Sequence, residues 1–445
     1  ETVHSMVVDD SLNLIVFGVT GSANFPSSAN ACDTQKQISS GLDLSILSAN
    51  FTTGPDIYIS KFNPTGTQLK ASTFFGGNQE DGLNVVKTNL VSSNVGLLFS
   101  YGDQFRGEVI TDSLGNIFIG SVTYSSGLST GINNFSGIQD GIIAKFSPDL
   151  STLIWSPYLG GSNYDAIYSL KILPNGNVLV GGGTNSFNDF PVTPGSYQTN
   201  PGGGRVDGFV SIISADGQSV LKSSFVGTSN YDQVYFIDFD RFSGVYALGQ
   251  SIGGNMPLKN TQIADTSAGQ FILKFDPNLD SLEYATTFGD GGSGGQINFT
   301  PTAFLVDQCQ NVYVSGWGGT LSGGVMRLTN NMPITSDAYR STTTDLDFYL
   351  YVMSRNADSL LYASFFGGTL STDHVDGGTS RFDKRGVIYQ SVCASCSNSQ
   401  NPSIPADTLS DFPTTPNSFS PKKLINIGGN NCNNALFKFD FEILP

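Results

Sequence analysis

The sequence predicts an all-β protein made of repeated four-stranded antiparallel units. Two observations carry this prediction: the composition suits strands and tight turns, and two hairpin phrases recur along the chain. Of the 445 residues, 52 are Gly, 32 are Phe and 17 are Tyr, whereas only 13% are charged. Helices favour Ala, Glu, Lys and Leu, so this composition favours short strands joined by turns.

The first recurring phrase has the form of a hairpin. It begins at an Asp or Gly, runs through apolar residues to Lys-Phe or its equivalent, turns, and ends on a Ser or Thr, an aromatic residue and Gly. Its copies lie at 56–77, 140–161, 207–228, 269–290 and 347–368, and a shorter sixth copy begins at Asn433. The recurrence predicts one structural unit for each copy.

A second hairpin phrase lies between the copies of the first, with Asp, Asn and Gly in its turns. In every unit but the second, it is followed by an Asn or Asp, a Phe or Met, and a Pro. Because Pro cannot join a strand ladder, this segment predicts a loop with an apolar anchor. We interpret the anchor as a plug between neighbouring units; contact with a ligand is the alternative. The anchors are Phe25, Phe190, Met256, Met332 and Phe412.

Each unit therefore consists of strand, turn, strand, anchored loop, strand, turn and strand. This pattern predicts the blades of one β-propeller domain. The six units are 1–80, 81–164, 165–230, 231–292, 293–370 and 371–445, with the largest loop insertions at 27–55, 84–105 and 397–409. A β-helix would need shorter repeats, and separate β-sandwiches would need linkers. Since an open edge invites aggregation, we expect a closed ring: either a strand from beyond residue 1 completes six blades, or a whole further unit precedes residue 1 and makes seven.

Charge and cysteine content narrow the function. A net charge of −16 argues against nucleic-acid binding, and no apolar run is long enough for membrane insertion. A structural disulfide of Cys393 or Cys396 with Cys432 is favoured over a zinc site, because His4 and His374 flank neither group of cysteines. Five cysteines leave at least one thiol free or paired outside this chain.

Two catalytic or metal motifs are incomplete. Residues 291–295 match the nucleophile-elbow pattern but lie in a glycine run without a strand and a helix around them. Asp276, Asn278 and Asp280 have the spacing of calcium ligands, yet the required Gly is missing and the twelfth position is Thr287. We therefore predict a polar turn there, with calcium as the alternative, and no other cofactor.

Two further features have alternative interpretations. Asp373, His374 and Asp376 lie close together in sequence and could form a metal or proton-transfer cluster, although a solvated loop is the simpler interpretation. Trp317 could stack on a sugar, but burial between blades is favoured. No catalytic residue is predicted.

The phrases "KFNPTGTQLKASTFFGG", "DSLGNIFIG" and "SDFPTTP" resemble the bacterial SBBP repeat, the seven-bladed β-propeller repeat. The stretch 373–439 resembles large surface proteins of gliding Bacteroidota. The resemblance implies type IX secretion, display on the cell surface as an adhesin-like or motility-associated module, and contact with the secretion machinery. That contact would use a C-terminal sorting domain outside this chain, in a longer multidomain protein. The family has no catalytic signature to carry over.

Five Asp-Ser-Leu or Asp-Thr-Leu triplets look like the O-glycosylation signal of Bacteroidota, with ordinary turn chemistry as the alternative. Their hydroxyl residues are Ser11, Ser113, Ser281, Ser359 and Thr408. Together these features predict a non-catalytic extracellular module that binds a glycan or protein surface. The alternatives are a polysaccharide-active enzyme with an acidic central pocket and a passive spacer in a surface fibre.

Overall fold

The chain is an all-β protein that forms a six-bladed β-propeller, as its repeats predicted. The computed structural model describes residues 1–37, 44–46, 49–51, 53–85, 97–100, 102–131, 134–253, 256–291, 297–319, 328–375, 380–396, 410–422 and 433–441. Within these ranges the one helical segment is a 3-10 turn, Asp103–Phe105. No helix in this part of the chain has the length and apolar character needed to cross a membrane.

Each blade is an antiparallel sheet of sequential strands. Blade 1 consists of β1 (Thr2–Val8), β2 (Leu14–Thr20), β5 (Asp56–Phe62) and β6 (Leu69–Phe75), with a separate hairpin β3 (Leu44–Ile46) and β4 (Ala49–Phe51) between its second and third strands. Blade 2 consists of β7 (Glu108–Thr111), β8 (Ile117–Thr123) and β9 (Asp140–Phe146), with a divided outer strand β10 (Leu153–Trp155) and β11 (Tyr158–Leu159). Blade 3 consists of β12 (Asp165–Ile172), β13 (Val178–Thr184), β14 (Asp207–Ile213) and β15 (Val220–Val226).

The remaining blades follow the same order. Blade 4 consists of β16 (Asp232–Phe239), β17 (Val245–Ser251), β18 (Gln270–Phe275) and β19 (Leu282–Phe288). Blade 5 consists of β20 (Thr300–Val306), β21 (Val312–Trp317), β22 (Phe348–Met353) and β23 (Leu360–Phe366). In blade 6, β24 (Thr372–His374) and β25 (Arg381–Phe382) both pair with β26 (Ile388–Cys396), which also pairs with β27 (Asn433–Phe439).

The chain divides into two compact units. Unit 1 comprises Glu1–Gln250, Lys274–Leu282 and Gly377–Thr379; unit 2 comprises Ser251–Leu273, Glu283–Asp376 and Ser380–Pro445. Two buried apolar clusters of unit 1 each combine side chains of neighbouring blades, because a blade buries both faces of its sheet. One cluster contains Phe17 and Phe146, and the other contains Phe118 and Phe209. The predicted single domain stays a prediction.

A β-bulge recurs in the first strand of blades 1, 3 and 5. The pairing with the second strand skips one residue, which is His4, Tyr168 or Thr302. All three are buried. A bulge leaves one residue out of the ladder and turns its side chain in a new direction. In blade 3 the Tyr168 hydroxyl consequently reaches the Leu97 carbonyl oxygen, at 2.9 Å, in the long loop before β7.

Neighbouring blades are also joined through the turn between the third and fourth strands. Leu150 and Leu279 occupy the left-handed position of this turn, with φ of 57° and 58°. The backbone carbonyl of Leu150 accepts a hydrogen bond from the Cys32 amide at 2.8 Å, and that of Leu279 accepts one from the Tyr197 amide at 2.7 Å. In both cases the donor lies in the anchored-loop region of the preceding blade, so each turn holds the loop of its neighbour.

Candidate functional site

Unit 1 contains a buried polar centre, formed by Ser100, Asp103, Arg106 and Tyr235. Asp103 Oδ1 accepts a hydrogen bond from Arg106 Nε at 2.7 Å. Its Oδ2 accepts the backbone amides of Phe99 and Ser100 at 2.9 and 2.6 Å and the Tyr235 hydroxyl at 3.0 Å. The Arg106 guanidinium lies 4.4 Å from the centre of the Tyr235 ring. The Asp103 carboxylate therefore has four donors within its own chain.

The electrostatics of this centre suit a structural ion pair. Asp103, Arg106 and Tyr235 are all buried. Burial raises the pKa of Asp103, while the charge and hydrogen bond of Arg106 oppose that rise. A buried charge is tolerated only when it is paired and hydrogen-bonded, and this carboxylate satisfies both conditions. Its oxygens are consequently engaged and buried, which leaves little capacity for a substrate.

A second buried acid of unit 1, Glu108, is also held by structural contacts. Glu108 begins β7, and its Oε2 accepts the Ser169 hydroxyl at 2.7 Å and the Leu170 amide at 2.9 Å. Its Oε1 lies 2.8 Å from Lys171 Nζ. Glu108 thus joins the first strands of blades 2 and 3. Both this acid and Asp103 are buried in structural contacts.

Among the residues that the structure describes, four pairs of buried aspartates lie where successive blades meet; we call them junction pairs. In each, one Asp begins the third strand of a blade or directly precedes it, and the other lies at the start of the next blade. Unit 1 holds three pairs and unit 2 one: Asp56 with Asp81, Asp140 with Asp165, Asp207 with Asp232, and Asp347 with Asp373. The first Asp of each pair is part of the repeated phrase, but no pattern in the sequence predicts that it meets a second carboxylate.

The pair of Asp140 and Asp165 shows the geometry. Asp140 Oδ2 accepts the Ser136 amide at 3.0 Å, and Asp165 Oδ2 accepts the Gly161 amide and the Ser186 hydroxyl, each at 2.8 Å. Asp140 Oδ1 is buried and has no hydrogen-bond partner. A Cβ atom on Gly160 would lie 2.5 Å from Asp140 Oδ1 and 2.8 Å from Asp165 Oδ2. Only glycine therefore lets both carboxyl groups approach this turn.

Several junction aspartates have raised pKa values. Burial, and next the neighbouring Asp81, raise the pKa of Asp56 to about 7. Burial is also the main cause of the raised pKa values of Asp140, Asp207 and Asp373, each about 7, and the partner or neighbouring carboxylates add to it. Two buried carboxylates in contact cannot both ionise without cost. Proton-sharing carboxyls occur in acid–base catalysts, but these four pairs are buried within blade junctions.

The predicted loop anchors are packing residues. The Phe190 ring lies 4.7 Å from the Phe209 ring and 5.7 Å from the Phe225 ring of its own blade. The half-buried Phe25 similarly contacts Tyr58 at 4.4 Å. These two anchors pack on their own blade rather than lying only between blades. Their contacts are aromatic and internal, which favours the packing interpretation over a ligand contact.

The other three anchors are buried too. Met256 and Met332 are buried, and the Phe412 ring lies 5.6 Å from Phe366 of blade 5 and 6.3 Å from Phe437 of blade 6. Phe412 therefore contacts aromatic residues of both blades, and the interpretation of the anchors as plugs stays a prediction. The preceding Asp411 binds the turn between the same blades, since its carboxylate accepts the amides of Thr369 and Leu370 at 2.6 Å each.

The cysteines and His374 meet in blade 6, which the sequence analysis did not anticipate. Strand pairing places His374 opposite Cys393 and Thr372 opposite Cys396. Cys396 is disulfide-bonded. Its predicted partner Cys432 lies outside the described residues, so that pairing stays a prediction. The argument that His374 flanks neither group of cysteines holds along the chain but is wrong in space, because β24 and β26 are neighbours in the sheet.

Of the suggested cluster of Asp373, His374 and Asp376, the structure describes the first two, and Asp373 is buried rather than part of a solvated loop. Asp373 is a member of a junction pair, and its carboxylate accepts the Gly368 amide at 2.7 Å and the Ser395 amide at 2.8 Å. Asp376 lies outside the described residues. Trp317 is buried, and its ring centre lies 5.6 Å from that of His374. This agrees with the favoured burial of Trp317 rather than with a sugar platform.

The proposed calcium loop is a turn. Asp276 Oδ1 accepts the Asn278 amide at 2.9 Å, its Oδ2 accepts the Ser281 hydroxyl at 3.0 Å, and Asp280 forms an ion pair with Lys222. The glycosylation candidates Ser11, Ser113, Ser281 and Ser359 are exposed. Thr408 and most of the 291–295 motif lie outside the described residues.

No protein-family model matches the chain, and no curated protein matches it. Among solved structures, it is similar to a polysaccharide lyase of family PL25, an ulvan lyase, with 8% identity and a TM-score of 0.43 over 87% of this chain and 74% of the lyase. It is also similar to the Hadza microbial sialidase Hz136, with 10% identity and a TM-score of 0.39 over 88% of this chain and 62% of the sialidase. BamB from Moraxella catarrhalis has 14% identity and a TM-score of 0.32 over 77% of each chain. At such scores these likenesses carry no argument about function.

Proposed function

We propose that this chain is a non-catalytic binding module of an exported bacterial surface protein. The observation that carries the proposal is the buried polar centre of unit 1. Asp103 is held by four donors of its own chain and Glu108 by three, so neither acid is available for chemistry on a substrate. Function then rests with the loops and turns that the rigid blades present. The SBBP-like phrases support a surface protein of the type IX secretion route.

The turns between the first and second strands of the blades are the proposed contact surface. In unit 1 three of these turns expose a large apolar side chain: Leu12 is 66% exposed, Leu114 is 79% exposed and Phe242 is 63% exposed. Single exposed apolar residues are ordinary, but these occupy equivalent turns of blades 1, 2 and 4. Apolar and aromatic side chains on a rigid base suit contact with a protein or with the faces of sugar rings.

A binding assay with matched variants tests this surface. The whole chain would be screened on a glycan array and in adhesion to bacterial cells and polysaccharide-coated plates. Replacing Leu12, Leu114 and Phe242 by Ser should lower binding at least about tenfold, the cost of one well-placed apolar contact. The control replaces Ile154 and Leu221, which are 43% and 44% exposed on the outer strands of blades 2 and 3, by Ser. Equal loss in both variants, or no binding by the parent chain, would contradict the proposal.

The enzyme alternative has its own readout. The same polysaccharides would be incubated with the chain and analysed for new reducing ends and for unsaturated sugars. Turnover that persists in the variant of Leu12, Leu114 and Phe242 would contradict the binding-module proposal. It would show that the chain is an enzyme whose active site lies outside these turns. Binding without turnover supports the proposal, and a chain that neither binds nor cleaves would favour the passive spacer.

We also propose that one further blade covers blade 6, as the resemblance to a seven-bladed repeat implies. In β26 Tyr389 and Ser391 are exposed, whereas all residues of β22 are buried. On the exposed face, Tyr389 is 46% exposed and Leu436 is 78% exposed. Expressing the chain with its flanking residues should raise its Tm and protect Tyr389 from surface labelling. Unchanged labelling of Tyr389 would contradict a covering blade.

A further inference from the structure

We propose that His374, Cys393 and Cys396 form a site for one thiophilic metal ion, with Zn²⁺ as the representative, and that the disulfide of Cys396 closes this site. All three residues lie in blade 6, within unit 2. The proposal concerns a group that the binding function does not use.

The strand pairing of β24 with β26 brings the three ligands together. His374 lies opposite Cys393, and Thr372 lies opposite Cys396. Cys396 Sγ is 3.5 Å from His374 Nδ1. The two sulfur atoms and a ring nitrogen all lie within 4.8 Å of one another. The pairing of β24 with β26 therefore places His374 beside the Cys-x-x-Cys sequence of Cys393 and Cys396. The three side chains form a compact set of possible metal ligands.

The spacing fits a tetrahedral ion. With Zn–S bonds of about 2.3 Å and Zn–N bonds of about 2.0 Å, neighbouring ligand atoms of a tetrahedron lie about 3.5 to 3.8 Å apart. The distance of 3.5 Å from sulfur to nitrogen already equals one such edge. The other separations need a contraction of at most about 1.3 Å, which a change of the Cys393 side-chain torsion can supply. Two thiolates and an imidazole favour Zn²⁺ or Cu⁺ over Ca²⁺ or Mg²⁺.

The surroundings hold the histidine in place without competing for the metal. The Trp317 ring packs on His374 with 5.6 Å between ring centres, and Cys396 is buried beside them. The neighbouring carboxylate of Asp373 is occupied by the backbone amides of Gly368 and Ser395. Three protein ligands leave a fourth position for water or for another donor.

Oxidation state controls this site. While Cys396 is disulfide-bonded, its sulfur cannot act as a thiolate ligand. A dithiol can reduce that bond: it supplies two electrons and two protons, the S–S bond breaks, two cysteine thiols form, and the dithiol becomes a disulfide. Metal binding then displaces the protons of the Cys393 and Cys396 thiols. Metal occupancy should therefore appear only after reduction.

Metal titration of the oxidised and reduced chain tests the proposal. The whole chain would carry Cys32→Ser and Cys309→Ser, because both cysteines are exposed and could bind metal elsewhere. One portion stays oxidised; the other is reduced with a dithiol and desalted without oxygen. Co²⁺ reports thiolate ligation by its charge-transfer band, and Zn²⁺ affinity is measured by competition with a chromophoric chelator. We expect one ion per reduced chain and at least a hundredfold weaker binding by the oxidised chain.

Variants assign the ligands. Cys393→Ser should remove about half of the charge-transfer intensity and weaken Zn²⁺ binding at least tenfold, and His374→Asn should weaken it at least tenfold while keeping that intensity. The matched control is Ser391→Ala, an exposed residue of the same strand. The comparison of oxidised and reduced chain uses unchanged ligand residues, so it tests the proposal even if a ligand variant fails to fold. Equal affinity of the two redox states, or full affinity in Cys393→Ser, would overturn it.

Discussion

Lys61 Nζ lies 2.9 Å from Asp9 Oδ2, which joins the third strand of blade 1 to the turn between its first two strands. Both side chains are nearly buried, at 10% and 5% exposure. The same pairing recurs in two other blades, as Lys145 with Asp112 at 3.8 Å and Lys274 with Asp240 at 3.0 Å. In blade 3 both positions are apolar and buried, as Leu173 and Ile212. The Lys of the Lys-Phe phrase and the Asp of the turn between the first two strands thus form a recurring ion pair within the blade.

Removing one partner of this pair should cost more than removing both. Lys61→Met leaves the Asp9 carboxylate nearly buried without its cation, and we expect a loss of about 2–3 kcal/mol in the free energy of unfolding. Combining Asp9→Leu with Lys61→Ile copies blade 3 and should recover most of that loss. Urea unfolding measures both variants, with Lys384→Met at an exposed position as control. A double variant less stable than Lys61→Met would contradict this account.

The junction pairs predict greater stability in mild acid. A carboxyl whose pKa is about 7 in the folded chain and about 4 in the unfolded chain keeps its proton longer when folded. The unfolding free energy should therefore fall as pH rises from about 4 to about 7 and level off above that, as linkage requires. Burial lowers the pKa of His4 to about 3, so His4 makes the unfolding free energy rise with pH. This single group is outweighed by the several junction aspartates, whose effect has the opposite sign. Calorimetry at pH 5 and pH 8 should give the higher Tm at pH 5.

Asp140→Asn tests one junction pair directly. Asn cannot ionise, so the variant should be more stable than the parent at pH 8, by about 1 kcal/mol or more, and should depend less on pH. Asp149→Asn, in an exposed turn of the same blade, is the control, because Ser147 and Ser151 lower the pKa of Asp149. If both variants flatten the pH profile equally, the buried pair is not its source.

Arg106 should be among the residues most sensitive to substitution. Arg106→Met leaves Asp103 buried without its cation and removes the contact with Tyr235, and we expect a loss of about 3–5 kcal/mol. Arg106→Lys keeps the charge but not the planar guanidinium, and should lose less. Guanidinium unfolding is the measurement, with the exposed Arg355→Met as control. A loss in Arg106→Met no larger than in that control would show that the polar centre contributes little.

Gly160 should not accept even alanine. The added Cβ would lie 2.5 Å from Asp140 Oδ1, and relieving this overlap should cost about 1–3 kcal/mol. Asp140→Ala removes the carboxyl group that the new Cβ would overlap. In that variant, Gly160→Ala should therefore lower the free energy of unfolding by less. Thermal unfolding of the two single variants and the double variant forms a double-mutant cycle. Strict additivity would mean that the glycine and the carboxyl group are not coupled.

Local features of the fold were predictable from sequence. Antiparallel hairpins pair residues that are close along the chain, so the turn that contains Leu12 and the phrase at 56–77 already predict two hairpins of blade 1. The recurrence of both phrases then predicts six blades. The burial of Phe190 and Phe412 agrees with the anchor interpretation, because burying an aromatic side chain is favourable.

The candidate sites were not predictable in this way. Asp103 lies in the insertion 84–105, which the sequence analysis treated as an ordinary loop, yet it accepts a hydrogen bond from Tyr235 of blade 4. His374 and Cys393 are separated along the chain but paired across two strands. No local pattern marks either contact, since both depend on which strands become neighbours.

By itself, the sequence determined the repeated hairpins, their order and the all-β class, because these depend on turn residues and on alternation within short segments. Only the tertiary structure decided which acids are buried together, which charge each carboxylate meets and which sulfur atoms face a histidine. The physical reason is that such contacts join residues of different phrases. Their energies depend on burial and on distances of a few ångströms, which only the packing of blades and loops determines.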